Sequence, residues 1–161
     1  MENWSDVFEK VRREAEEQYQ MLDDVLCPYL KTLVGFNAKG LDHIKMKSWN
    51  RARVTSDQYL RLKFLKWAPT IITLSHTLQE IKQTRSLERQ KINSRWERRM
   101  ISVTYYGFIA ILHDVRVKVI VKEIEGSKPF FWSIIPFWKT RRDPISGEIK
   151  KIFHEGDLEN Q

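Results

Sequence analysis

Hydrophobic and polar positions alternate strictly near the start of the last third of the chain, where residues 115–122 read VRVKVIVK. Successive side chains of a strand point to opposite faces. Val115, Val117, Val119 and Val121 therefore share one face, and Arg116, Lys118, Ile120 and Lys122 the other. The flanking runs, ISVTYYGFIAIL (101–112) and SKPFFWSIIPFWK (127–139), are rich in β-branched and aromatic residues and are set off by His113–Asp114 and Gly126–Ser127. Together they predict three strands of an antiparallel meander. A two-residue turn at Gly126–Ser127 sets Val121 opposite Trp132 and Ile120 opposite Ser133. Phe130, Trp132 and Ile134 then join a valine core. Ser133 joins Arg116, Lys118 and Lys122 on a basic face left for a ligand. One more residue in the turn would reverse this. His113–Asp114 is a poor pair for a primed turn, so whether Tyr105 or Tyr106 faces the basic side stays open.

Upstream, the period changes from two to three and four. Trp4, Val7, Phe8, Val11, Ala15, Tyr19, Leu22, Val25 and Leu26 form one apolar stripe, predicting an amphipathic helix that Pro28 ends. KTLVGFN (31–37) is β-prone and could add an edge strand. LDHIKMKSW (41–49) reads as a short helix with Leu41, Ile44 and Trp49 inward, His43 and Lys47 sharing a face. Thr55–Ser56 offers an N-cap to a second helix bearing Tyr59, Leu60, Phe64 and Trp67. Pro69 kinks or restarts it, and Ile71, Ile72, Leu74 and Leu78 continue the pattern, with His76 as a core histidine. Residues 82–99 are too polar for periodicity to choose between helix and loop. Residues 140–161 read as a surface tail or a small hairpin around PISG. Helices followed by a meander predict an α+β fold: N-terminal helices packed on one face of a three- to four-stranded antiparallel sheet. One domain, 1–161, is expected, with an acidic helix (1–27), a body (31–139) and a polar tail (140–161).

Composition narrows the partner. The net charge is +7 over 161 residues, which favours an anionic ligand such as nucleic acid. The charge is segregated. Residues 1–27 hold eight acids against three bases, whereas residues 39–66 hold eight bases against Asp42 and Asp57. Seven bases fall in residues 82–99 against Glu88 and Glu97. One cysteine, Cys27, excludes an internal disulfide and a cysteine-based zinc site. No apolar run approaches the ~20 residues of a membrane span, and the acidic N-terminus lacks a signal-peptide pattern. A cytoplasmic location is the expectation.

Several chemistries lack their residues. There is no GxxxxGK[ST] or GxGxxG phosphate loop, no HExxH, no paired-histidine spacing and no GxSxG elbow. No metal or cofactor is expected. What remains is histidine, arginine, lysine and hydroxyl chemistry, and RNA cleavage needs little more. A base takes the ribose 2′-OH proton, cations stabilise charge on the phosphate, and an acid protonates the leaving oxygen. His43 is the best-placed histidine, because Lys45, Lys47, Arg51 and Arg53 surround it. The same basic face would serve a non-catalytic RNA- or DNA-binding protein, with Tyr106, Phe131 and Trp138 stacking bases. A face that is merely solvated is the third reading.

The order of a histidine-bearing helix in GLDHIKMKSWNRAR, a helix RLKFLKWAPTII and strands ending FFWSIIPFWK resembles the barnase–EndoU–colicin–RelE-like nuclease superfamily, above all its phage- and mobile-element-associated branches. The likeness spans roughly residues 31–139. It implies a metal-independent ribonuclease that attacks through the 2′-OH and leaves a 2′,3′-cyclic phosphate, and, with it, a toxin held in check by a neutralising protein partner. His43 matches the helical histidine, Arg51 or Arg53 the basic residue after it, and Arg61 an arginine opening the next helix. Ser133 matches the hydroxyl of the last strand, with Lys118 beside it. The implied catalytic set is His43, Lys45, Arg53 and Ser133; the implied RNA contacts are Arg51, Arg61, Arg116, Lys118, Lys122, Lys139 and Tyr106. No second histidine stands on a strand, so Lys45, Tyr106 or the substrate itself would supply the other proton step. The acidic N-terminal helix could cover the basic face in cis.

Overall fold

The computed structural model describes residues 3–48, 50–137, 140–142, 149–151 and 158–159, with the backbone alone for 137, 140–142 and 149–151. The fold is α+β, built on a four-stranded antiparallel sheet.

Helix α1 (Trp4–Gln20) starts where the Asn3 side chain accepts from the Ser5 amide, a standard N-cap. Its stripe of Phe8, Val11, Ala15 and Tyr19 joins the main core. The helix ends six residues before the apolar pattern does. Val25 and Cys27 belong instead to strand β1 (Val25–Cys27), which pairs with β2 (Thr32–Val34). That pairing satisfies their backbone groups and still buries Cys27 and Val34. KTLVGFN is thus not the fourth strand of the main sheet.

Helix α2 (Ala38–Lys45) is capped by Asn37, whose side chain accepts from the Gly40 amide at 3.1 Å. Leu41 and Ile44 are buried, as their spacing predicts. The helix stops at Lys45, and β3 (Met46–Ser48) turns back on β4 (Arg51–Ala52). Lys47 therefore stands on a strand and does not share His43's helix face; Trp49 lies outside the described residues. Helix α3 (Thr55–Phe64) has Val54 at its N-cap, with no side-chain cap from Thr55 or Ser56. A 3₁₀ turn (Leu65–Trp67) leads into α4 (Ala68–Leu74), with Pro69 in its first turn, where a missing N–H costs nothing. His76 falls beyond this helix and is exposed, so it is not a core histidine.

The main sheet is the meander β5 (Glu80–Ile92), β6 (Arg95–Leu112), β7 (Val115–Ile124) and β8 (Phe130–Phe137). The polar stretch 82–99 forms its first hairpin, whose outer part runs past the end of β7 as a two-stranded arm. Along β5, even-numbered residues are half-buried and odd-numbered ones exposed. Because both sets are polar, this period is invisible to hydropathy. Asn93–Ser94 and His113–Asp114 make the two tight turns, and all four residues have positive φ, from 46° to 66°. His113–Asp114 thus does serve as a two-residue turn of the primed kind. Serine gains little in the left-handed region, whereas glycine enters it freely. Ser94→Gly is therefore expected to raise stability by about 0.5–1 kcal/mol, read as a higher urea midpoint with an unchanged slope.

Ile120 pairs with Ser133 as expected, but not through a two-residue turn at Gly126–Ser127: residues 125–129 join the strands, and the Ser127 amide donates to the Ile124 carbonyl at 2.9 Å. One step further along, a β-bulge intervenes: Val121 pairs with Phe131 and Lys122 with Phe130. The extra residue swaps the two phenylalanines between faces. Phe131 and Ile134 pack with Val117, Val119, Val121 and helical Leu41, Ile44, Leu62 and Ile71. Phe130 and Trp132 go to the other side, so their expected place in the valine core is corrected. That other side holds a second apolar cluster of Val103, Tyr105, Ile120, Ile124, Phe130, Ile135 and Leu158. It is not an open basic face. Leu158 also shows that the tail is not wholly a surface feature. Elsewhere in the tail, β9 (Thr140–Arg142) pairs antiparallel with β10 (Ile149–Lys151), flanking PISG. Among the described residues no helix is long and apolar enough to cross a membrane.

Candidate functional site

The bulge in β8 places Trp132 under helix α2. The His43 ring stacks on the indole, with centroids 4.0 Å apart and planes 17° from parallel. Arg53, just after β4, grips His43 at two points. Its Nε donates to the His43 carbonyl oxygen at 3.0 Å, and its Nη2 lies 3.2 Å from the ring Nε2. A guanidinium has only donors, so Nε2 accepts and the imidazole is neutral, with its proton on Nδ1. The Arg53 amide in turn donates to the Lys45 carbonyl at 2.9 Å. The short β3–β4 hairpin thus delivers the arginine to the histidine.

Asp57 stands between two buried guanidiniums. Arg61 Nε donates to its Oδ1 at 2.9 Å, and Arg53 Nη1 lies 3.6 Å from Oδ2. Arg61 also donates to the Ser133 hydroxyl at 2.7 Å, tying α3 to β8. Burial, and next the charge of Arg61, push the Arg53 guanidinium down to about 10, against the pull of Asp57. It stays charged at neutral pH.

A cavity of about 510 Å³ opens beside this cluster, lined by His43, Trp132, Tyr105, Lys122, Lys47 and Asp42 among others. The Lys122 ammonium sits 4.3 Å from the Trp132 ring centroid and 5.5 Å from that of Tyr105, so both rings share the cation. The Trp132 indole N–H donates to the Glu159 carbonyl at 3.0 Å. Compared with known proteins, the chain matches no family model, no curated protein and no solved structure. What the site can do must come from its own geometry.

That geometry brings His43, Arg53, Arg61 and Ser133 into one continuous set of contacts, with Lys122 across the adjoining cavity. It separates the others. Lys45 pairs with Glu16 of α1 at 3.0 Å. Arg51 is exposed on β4, opposite Ser48 of the cavity wall. Lys118 is 1% exposed and pairs with Glu80 at 2.9 Å across Gly107 of the intervening strand. Arg116 is half-buried at the far end of β7 from Lys122, about 20 Å away at the rise of a strand. Tyr106 lies on the helix side and donates to Glu123 at 3.0 Å, so Tyr105 is the tyrosine beside Lys122. Lys139, Trp138 and His154 lie outside the described residues. Ser133 is fully buried, and does not face an open cationic surface with Lys118 and Lys122. Helix α1 packs in the main core, so it does not cover the sheet's second side. Among the described residues, no group of three or more His, Cys, Asp or Glu is placed to hold a metal ion.

Two participants escape sequence reasoning. Trp132 meets His43 only because of the bulge, which no residue pattern marks. Asp57 escapes although it leaves a signal: it stands four residues before Arg61 on α3, the interval at which side chains meet on a helix, while Arg53 precedes that helix.

Glu88, from the arm, pairs with Lys122 at 3.2 Å and accepts from Ser86 at 2.7 Å. Burial works against its ionisation, but Ser86, Lys122 and Lys39 together hold the carboxyl below its ordinary value. A carboxylate depressed in the folded state contributes stability above its unfolded pKa and loses it as pH falls through the folded one. We expect the arm to loosen on acidification below about pH 4, seen as faster amide exchange in residues 84–92. In Glu88→Gln that acid-dependent step should disappear.

Proposed function

We propose that the protein is a metal-independent ribonuclease that cleaves RNA through its own 2′-OH, leaving a 2′,3′-cyclic phosphate. One observation carries the reading: a neutral histidine, stacked on Trp132 and gripped by buried Arg53, in the wall of a cavity that also presents Lys122. Arg53 is buried behind His43 and outside the cavity lining, so we propose that the His43 side chain swings aside as a phosphate enters and lets the guanidinium make the two-pronged contact it favours with such anions. As those hydrogen bonds pass to phosphate oxygens, Nε2 becomes available to take the 2′-OH proton. O2′ then bonds to phosphorus and the bond to O5′ breaks. Arg53 and Lys122 stabilise the charge on the phosphoryl oxygens. The leaving O5′ takes its proton from Lys47, an exposed ammonium of the cavity lining.

The resemblance to the barnase–EndoU–colicin–RelE-like superfamily extends the proposal to a toxin with a neutralising protein partner. A second reading, a non-catalytic RNA-binding protein, is favoured by one observation: Arg61 and Ser133 are buried and bonded to each other. In that reading they only hold α3 against β8.

The test is incubation of the purified protein with cellular RNA in excess EDTA, followed by analysis of the 3′ ends. The expected result is cleavage to cyclic-phosphate termini at an undiminished rate. Intact RNA that is nonetheless bound, with an affinity falling steeply with salt, would establish the second reading instead.

A further inference from the structure

The arm built by β5 and β6 is the most basic part of the molecule that the proposed chemistry leaves unused. Arg89 and Arg98 are direct cross-strand partners. Like charges so placed repel, a cost that an anion bound between them removes. The next pair toward the tip is Gln90 with Glu97, and the next one on the same face as the arginines is Lys91 with Trp96. Trp96 is 60% exposed, and the Arg89 guanidinium lies 5.1 Å from its ring centroid. Beneath this surface lies a second cavity, of about 560 Å³, between the arm, the β7–β8 turn and the start of α2. Its wall carries Lys39, Arg89, Lys91 and Lys128, together with Trp96 and Phe130; Glu125 is the carboxylate among its lining residues. Lys128 is paired with Asp24. Lys39, Arg89 and Lys91 are all exposed.

The position of this cavity matters as much as its charge. Phe130 lines it, and Trp132 lines the cavity of His43; their rings meet edge to face with centroids 6.2 Å apart. Glu88 and Lys122 form the other part of the partition, Lys122 facing the histidine cavity and Glu88 adjoining Arg89 in the chain. The two cavities are thus neighbours along one face, each with an aromatic ring and cations. A strand seated in one cavity can therefore continue into the other.

We propose that the second cavity is a subsite for a flanking nucleotide of single-stranded RNA, with the base on Trp96 and its phosphate held by Arg89, Lys91 and Lys39. The inference rests on the ribonuclease reading only for the choice of RNA as ligand. Duplexes present no free base face to a tryptophan, whereas single strands do.

The test uses the full chain bearing His43→Gln, so that RNA stays intact, and measures binding of a ten-nucleotide RNA and of a dinucleotide by fluorescence anisotropy. Stacking on an aromatic ring is worth about 1–3 kcal/mol per base. Adding Trp96→Ala should therefore weaken the longer RNA about 5- to 150-fold and leave the dinucleotide unchanged, with Trp96→Phe restoring most of the loss. Adding Arg89→Ala with Lys91→Ala should lower the salt slope for the longer RNA by about 1.4, the value for two phosphate contacts on a single strand. Equal affinities for both RNA lengths in all variants would overturn the subsite. So would tighter binding of duplex RNA or single-stranded DNA than of single-stranded RNA, or displacement of RNA by an acidic polypeptide without any effect of Trp96. The outcome for the nuclease reading is separate. If the wild type cuts nothing while the arm variants lose RNA affinity, the subsite stands and the chemistry falls. If it cuts and Trp96→Ala leaves KM for long RNA unchanged, the reverse holds.

Discussion

Replacing His43 with glutamine is expected to lower RNA cleavage at least about 100-fold, within the ~100- to 10,000-fold range of general acid–base help, while RNA affinity persists. Glutamine is the informative substitution. Arg53 Nη2 bonds to Nε2 of the ring, and a glutamine carbonyl oxygen can accept the same hydrogen bond. Alanine would leave a buried guanidinium N–H without its acceptor, costing about 1–3 kcal/mol in stability and confusing loss of chemistry with loss of structure. The measurement is single-turnover cleavage of a labelled RNA, with thermal unfolding as the control. A glutamine variant that cleaves at the wild-type rate would remove His43 from the mechanism. A variant that loses binding in proportion to cleavage would make it a binding residue instead.

The second large effect is expected at Gly40. In an ordinary exposed helix, glycine to alanine gains about 1 kcal/mol. Here the sign should reverse. A Cβ on Gly40 would overlap the Phe131 carbonyl oxygen and stand 2.8 Å from the Tyr19 hydroxyl and 3.0 Å from the Phe131 ring. The Tyr19 hydroxyl is itself held by the Asn37 carbonyl at 2.7 Å, so neither neighbour yields easily. Gly40→Ala should cost about 3 kcal/mol, the upper part of the range for overpacking. Because α2 must lift off β8 to accept the methyl group, the His43–Trp132 stack should open and cleavage fall as well. Denaturant unfolding and indole fluorescence report the two consequences separately. A stabilised Gly40→Ala protein would mean that α2 does not approach β8 so closely.

Much of the architecture was legible from residue pattern. The valine face of β7 and the strands on either side follow from period-two alternation; Ile120 does face Ser133, but through a longer connection and a bulge rather than the expected two-residue turn. The illegible parts share a cause: they depend on contacts between distant segments. Val25 and Leu26 fit a helix stripe as well as a strand, and only β2 decides between them. Residues 82–92 alternate in burial without alternating in polarity, and residues 93–99 are all exposed. The bulge at Trp132 inserts one residue into an otherwise regular ladder, and so sends Phe130 and Trp132 to the second side and Phe131 to the helix side. Lys118 and Lys122 look like a solvated cationic face until Glu80 and Glu88 are brought to them by β5. For the site, the cluster of bases around His43 was visible in the sequence. The grip of Arg53 on the ring was not, because it depends on the β3–β4 hairpin, whose strands are too short to show a periodicity.

The parallel bridge between Gly35 and Phe130 joins the edge of β8 to the short β1–β2 unit through two backbone hydrogen bonds, of 3.0 and 2.8 Å. During synthesis the helices emerge first, yet their apolar surfaces close only on β8, which is made after the whole of β5, β6 and β7. Contacts of such long range are slow to form, and a nascent chain awaiting them shows sticky surface to its neighbours. For this protein, recovery of soluble material should therefore be limited by how long the ribosome-bound helices wait for Phe131 and Ile134, more than by the strength of the finished core.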